Sequence, residues 1–241
     1  MIEFRMLGTL NLTGAGGREL RVPLAQPRRL ALLAYLAAAT PRGFHRRDSL
    51  LALFWPELDQ AHARAALRQA LHVLRNAMGA SVVASRGDEE IGLDFNTVCC
   101  DVVAFDQAIA GGQLSEALDL YRGDLLEGFF ITGALDFERW LEGERSRLRE
   151  TAGRSAHALV EQCEASGDVS VAAHWARRAL RLAPLDERSL RRLIKLLDQL
   201  GDRASAVQVY DEFATRLAAE FDAQPAAETQ ALLAEIGRAH V

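Results

Sequence analysis

Short apolar or alternating runs open the chain, at Ile2 to Leu7 and Leu10 to Thr13, with Gly14, Gly16 and Gly17 marking a turn and Glu19 to Val22 returning as a third piece. This pattern predicts a small antiparallel sheet. After Pro23 and Pro27 the period changes to that of a helix, with Leu30, Leu33, Ala34 and Ala37 on one face and the Thr40, Pro41, Gly43 cluster as its end. A second helix is predicted from about Arg47 to Trp55, with Asp48 near its N-terminus, where a carboxylate meets free N–H groups, and Pro56 as its stop. A third follows the N-cap residue Asp59 and runs to Met78 before Gly79. At about 100° per residue, Ala63, Leu67, Ala70, Leu71, Leu74 and Met78 form one apolar stripe on it, which faces the core. Residues 81–84 and 90–95 flank Arg86, Gly87 and Asp88 and read as a β-hairpin. Sheet, three helices and hairpin add up to a winged helix-turn-helix over residues 1–98.

From Asp101 onward the strand signals stop and helical periodicity continues. A repeat organises this half: Gly112 with Ala117, Gly167 with Ala172 and Gly201 with Ala206 share one offset, and Gly167-Asp168 recurs as Gly201-Asp202 after 34 residues, the tetratricopeptide period. Each Gly lets the chain turn between paired helices and each Ala lets them approach; Pro184 and Pro225 end the second helices of their pairs. The expected fold class is therefore mainly α: an N-terminal winged helix-turn-helix (α+β), then an all-α tetratricopeptide-like helical-repeat domain over residues 99–234, with the boundary near residues 96–101. In that second half Phe137, Trp140, Leu141 and Leu148 are expected in the core by helical spacing, and Trp175 and Tyr210 between repeats. Phe129-Phe130-Ile131 reads in preference as buried under the first helices, with a partner-docking loop as the alternative.

With 49% hydrophobic and 25% charged residues among 241, the chain is an ordinary globular one, which excludes disordered and fibrous classes. No apolar run approaches the roughly 20 residues of a spanning helix, and the start MIEFRMLG lacks the layout of a secretory signal, so the reading is a cytoplasmic protein with no membrane partner. Cys99 and Cys100 are adjacent and Cys163 stands apart, a poor basis for an ordinary disulfide and consistent with a reducing compartment. The adjacent pair reads as inert, with oxidation sensing as the alternative.

The net charge of −5 hides a split. Residues 1–98 carry 12 Arg against 9 acids, whereas residues 99–241 carry 16 Lys+Arg against 24 acids. Such asymmetry points to a DNA-binding end and an acidic protein-binding end. Catalytic signatures are missing from the sequence: no GxxxxGK[ST] loop occurs, GxSxG and HExxH are absent, and the six histidines have no metal-site spacing. The expectation is no enzyme, no cofactor and no bound metal.

The predicted helix from Asp59 to Met78 carries the informative chemistry. Opposite its apolar stripe lie His62, Ala65, Gln69, His72 and Asn76; Arg64, Arg68 and Arg75 occupy one flank, and no acid lies between Asp59 and Met78. In a major groove Gln or Asn pairs bidentately with adenine and Arg with guanine, while Ala65 permits close approach. Arginines nearer the edge hold phosphates and set register. A surface helix whose arginines merely solvate it is the alternative, and the flanking elements count against that. Arg46 and Arg47 open the preceding helix, placed to meet a DNA strand, and Arg86 sits by the hairpin tip, suited to a minor-groove or phosphate contact. Arg28 and Arg29 are weaker candidates.

The order LGTLNL, RRLALLAYLA, HRRDSLLALFWPE, ARAALRQALHVLRNAMG and a wing hairpin, then DVVAFDQAI, EALDLYRGDLLEGF and FERWLEGERSRLRE with tetratricopeptide-like pairs, resembles the SARP-type bacterial regulators. These join an OmpR-like winged helix to a bacterial transcriptional activator domain. The resemblance implies promoter binding, often at direct repeats, with the helical domain supporting self-association or contact with RNA polymerase. By motif position it makes the helix holding Arg64, Arg68, Gln69, His72 and Arg75 the recognition helix and places Arg86 on the wing. The last seven residues, EIGRAHV (235–241), are what GAG-ATC-GGA-AGA-GCA-CAC-GTC encodes, a string like a sequencing-library adapter. An artificial tail is therefore expected there, with the natural chain continuing past about Ala234. The function expected is a sequence-specific transcriptional regulator of the activator kind that binds double-stranded promoter DNA; the rival is a tetratricopeptide-like adaptor whose winged helix does not bind DNA.

Overall fold

In a computed structural model, which describes residues 1–238, the N-terminal alternation becomes β1 (Ile2–Arg5) and β2 (Asn11–Thr13), paired antiparallel with Phe4 opposite Leu12. Phe4, Met6 and Leu12 are completely buried. The third piece of the predicted sheet is not a strand. Glu19 makes a single bridge to Thr13, and the chain then coils into α1 (Arg21–Leu24) because Pro23 has no N–H for a ladder. A strand the sequence reading did not place, β6 (Val98–Cys100), pairs with β1 instead, in parallel, giving the order β2-β1-β6.

Pro27 begins α2 (Pro27–Ala38), where its missing N–H costs nothing. This helix is buried on nearly every side, Leu32 and Leu36 included, and not on one face alone. A short strand β3 (His45–Arg46) leads into α3 (Arg47–Phe54), a loop over residues 55–59, and α4 (Gln60–Met78). The predicted stripe on α4 is buried throughout, from Ala63 to Met78. The hairpin forms as β4 (Val83–Arg86) and β5 (Glu90–Leu93), and β3 adds to it in the antiparallel order β3-β5-β4. Gly92 permits that addition, since a Cβ there would stand 2.7 Å from the Gly43 carbonyl oxygen.

The helical half consists of α5 (Asp101–Ala110), α6 (Leu114–Leu120), α7 (Leu135–Ser166), α8 (Val169–Leu182), α9 (Glu187–Gln199), α10 (Arg203–Phe221) and α11 (Ala227–Arg238). The repeat signal has a direct cause. Gly112, Gly167 and Gly201 take φ of 72°, 78° and 72°, which side chains resist, and Ala117, Ala172 and Ala206 are fully buried at the helix approaches. Asp168 and Asp202, which follow the second and third glycines, cap α8 and α10 by accepting from the N–H groups of Val171 and Ser205.

Two compact units divide within α7, between Leu148 and Arg149. The sequence boundary near residues 96–101 marks a change of pattern, and the packing of the first unit continues across it. The Asp101 carboxylate accepts from the N–H groups of Met6 and Leu7 at 2.7 and 2.8 Å. The Tyr35 ring meets Trp140 at 4.7 Å and the Phe54 ring meets Phe137 at 5.3 Å. Phe137, Leu141 and Leu148 are buried as expected, and Trp140 is half-buried. The run at 129–131 splits: Ile131 is buried and Phe129 half-buried, while Phe130 is 71% exposed, against the preferred reading. An irregular loop turns successive side chains different ways, so an apolar run there need not face one core.

The second unit, from Arg149 onward, has its own core around Leu190, Leu193, Ile194 and Phe213, with Trp175 and Tyr210 packed against it. Ile236, within the stretch read as a tail, is buried in this cluster, and residues 239–241 lie outside the described residues. Cys99 is exposed and Cys100 buried, as alternation along β6 requires; burial and then the Asp101 charge push the Cys100 thiol up to about 12, so it stays protonated. Among the described residues no helix is long and apolar enough to cross a membrane.

Because Phe137 fills the interior beneath the winged helix, Phe137→Ala should cost about 3–5 kcal/mol of unfolding free energy, read by urea denaturation. Residues 1–98 expressed alone should show no cooperative thermal transition; a sharp one matching that of the full chain would contradict the shared core.

Candidate nucleic-acid interface

Burial of the α4 stripe decides what the rest of that helix presents. Its N-terminus is fixed by Asp59, whose carboxylate accepts from the N–H groups of Ala61 and His62 at 3.0 Å each. The His62 ring also meets Asp59, at 2.5 Å. The His62 N–H and then the His62 ring hold the Asp59 carboxyl below its ordinary range. His62, on the predicted exposed face, therefore serves the helix start.

The start of α3, the length of α4 and the wing turn enclose an open cleft of about 840 Å3. Arg46, Arg47, Arg64, Arg68, His72 and Arg75 line it over Leu67 and Leu71. Six of the residues nominated from sequence thus meet in one place, drawn from the end of β3 and from α3 and α4. Three acids, Asp48, Asp88 and Glu89, share the rim, and the wing-turn pair was not anticipated from sequence. Ala65, Gln69, Asn76 and Arg86 do not line the cleft.

The arginines divide by what already holds them. The side chains of Arg46 and Arg68 are exposed and make no hydrogen bond or ion pair with any described residue. Arg64 is exposed and stands 3.6 Å from Asp48. Arg75 is half-buried: its Nε donates to the Val83 carbonyl at 3.1 Å and its Nη2 to the Ser85 hydroxyl at 2.9 Å, which pins β4 to α4. Arg47 reaches the same hydroxyl at 3.4 Å, its backbone N–H donates to the Glu89 carbonyl at 2.7 Å, and its buried Nε has no partner among the described residues. Its guanidinium is held less basic than usual by burial and then by the charge of Arg75, with Asp88 opposing. Two guanidiniums converging on one serine make a cationic floor under the wing.

Ala65 and Gln69 are exposed on α4. The Asn76 side-chain amide pairs with the His72 ring at 2.9 Å, so these two act as one unit. Arg86 lies over the Phe44 ring at 4.2 Å and 3.6 Å from Glu90, beside the wing turn. Phe44 and Ser85 escaped the sequence reading. Alternation along β4 separates Ser85 from Arg86, but nothing in the sequence pairs Phe44 with the wing. Arg28 and Arg29 have structural partners: Arg28 meets Glu57 and the Thr132 carbonyl, and Arg29 donates to the carbonyls of Val22 and Pro23.

The family model described as the bacterial transcriptional activator domain matches residues 103–237. No curated protein is significantly similar to the chain. Among solved structures, Mycobacterium tuberculosis EmbR in complex with a low affinity phosphopeptide is similar, with a TM-score of 0.59 and 24% identity over 98% of this chain and 65% of that one. The likeness concerns the fold, and this chain spans 65% of the EmbR chain's length. The match over residues 103–237, more than half of the sequence, places the chain in the bacterial transcriptional activator domain family, the family of the SARP-type regulators that its sequence resembles.

Proposed function

We propose that the protein is a sequence-specific DNA-binding transcriptional regulator of the activator kind. In this reading the winged helix of residues 1–98 engages double-stranded promoter DNA in the bacterial cytoplasm, at the nucleoid, and residues 99–234 engage RNA polymerase or a second copy. The single observation that carries it is the cleft: five arginines, from the end of β3 and from α3 and α4, crowd together without enough carboxylates to neutralise them. A polyanion suits that arrangement, because phosphate contacts by Arg release condensed counterions. The exposed series on α4 supplies the groove-reading face, with Arg68 and Gln69 toward base edges and small Ala65 allowing approach. Arg46 and Arg47, at the N-terminus of α3, meet the phosphates of one strand, where helix N–H groups add to the attraction. Arg64 joins them once DNA displaces Asp48. Arg75 holds the wing so that Arg86 reaches the adjacent backbone, and the His72–Asn76 pair borders the reading face. One winged helix buries little surface, so two copies on repeated half-sites give usable specificity.

These roles separate experimentally with the full chain. In fluorescence anisotropy, Arg68→Ala should cost about 1–3 kcal/mol on the specific duplex and much less on unrelated duplex. Arg46→Ala should weaken both alike and reduce the slope of log affinity against log salt by about 0.9. Equal losses of specificity from the two substitutions would overturn the assignment. Arg75→Ala should speed hydrogen exchange of the β4 and β5 amides by roughly tenfold, the loss of about 1.4 kcal/mol expected for a charged hydrogen-bond donor; unchanged protection would show that the wing needs no such anchor.

A further inference from the structure

The second compact unit carries two exposed features that DNA binding does not use. One is an open groove of about 410 Å3 between α8 and α10, with Leu180, Val209 and Phe213 in its apolar floor. Arg177, Arg181 and Arg216 line it against one acid, Glu212. Arg181 is held less basic than usual by burial and then by the like charges of Arg178 and Arg177. Cations crowded around an apolar floor suit an occupant that is both apolar and anionic.

The other feature is the end of α10. Phe221 is its last residue and is 64% exposed, between the exposed carboxylates of Glu220 and Asp222. Asp222 adopts a left-handed φ of 50° and stops the helix there, its N–H donating to the Ala218 carbonyl at 2.9 Å. An aromatic ring left in water between two acids complements the groove in polarity and in charge. Arg216 and Phe221 lie on the same helix, about 7.5 Å apart along its axis, and a continuous helix does not fold its own end back onto its side. The tip therefore cannot fill this groove within one copy.

We propose that two copies of this chain associate by seating the Glu220-Phe221-Asp222 tip of one in the Arg177, Arg181 and Arg216 groove of the other. The contact deepens the self-association named above and needs no DNA, so its failure leaves the DNA-binding reading standing. A contact this small is weak, with a Kd on the order of 10 µM.

Charge exchange between two full-length variants tests it by sedimentation velocity over a dilution series spanning that concentration. One variant carries Arg181→Glu with Arg216→Glu; the other carries Glu220→Arg with Asp222→Asn, Asn being tolerant of the left-handed conformation. Wild type should rise in average mass above the 26.4 kDa monomer with concentration. Each variant alone should remain monomeric, and an equimolar mixture should regain association, because acidic groove then meets basic tip and basic groove meets acidic tip. Misfolding cannot produce that recovery, and circular dichroism checks each variant. A monomeric wild type, variants that associate as wild type does, or a mixture of two folded variants that stays monomeric would each overturn the proposal. So would unchanged association in Phe221→Ser, a surface replacement expected to fold and to dissociate the pair.

Discussion

The candidate interface depends on the burial of one face of α4. Leu67, Leu71, Leu74 and Met78 are each less than 10% exposed, and each contributes about 1.5–3 kcal/mol by leaving water. Repulsion between two partly solvated guanidiniums a few ångströms apart is on the order of 1 kcal/mol in water. The apolar stripe therefore wins, and the helix cannot rotate to spread its arginines. Arg64, Arg68 and Arg75 are held in the same cleft as Arg46 and Arg47 because the opposite face has no alternative place to go. In the proposed complex the phosphates of DNA relieve that crowding.

Arg75 turns the helix into a platform. Its contacts with Val83 and Ser85 tie β4 to α4, so the positions of Arg86 and Arg68 are linked through one guanidinium. Arg47 adds a second cation at the same serine. A residue that reads from sequence as a flank contact to phosphate thus has its donors turned toward its own fold, whereas Arg46 and Arg68 keep theirs outward. Exposure and existing partners distinguish these roles where residue type does not.

Much of this was legible from periodicity. The six residues of the α4 stripe, its Asp59 cap and the hairpin turn follow from local rules, and the three Gly and Ala pairs of the repeat meet their structural reasons in positive φ and full burial. What escaped depends on partners distant in sequence. β6 pairs with β1 across nearly 100 residues, Phe54 finds Phe137, and the loop carrying Phe130 has no period to read. The change of pattern near residue 98 and the division at Leu148 answer different questions: one marks where strands give way to helices, the other where one core ends. The groove and the Phe221 tip lay hidden for the same reason, since three arginines and an apolar floor from separate helices carry no joint signature in the chain.

The most direct test of the central claim is fluorescence anisotropy of the full chain on duplex from upstream of its own gene, with unrelated duplex as competitor, at two salt concentrations. Promoter recognition by the arginine cleft should give binding that survives competition and weakens with salt, log affinity falling by about 0.9 per neutralised phosphate for each tenfold rise. Failure to bind any duplex at low salt would contradict it and leave the arginine cleft without the partner proposed here.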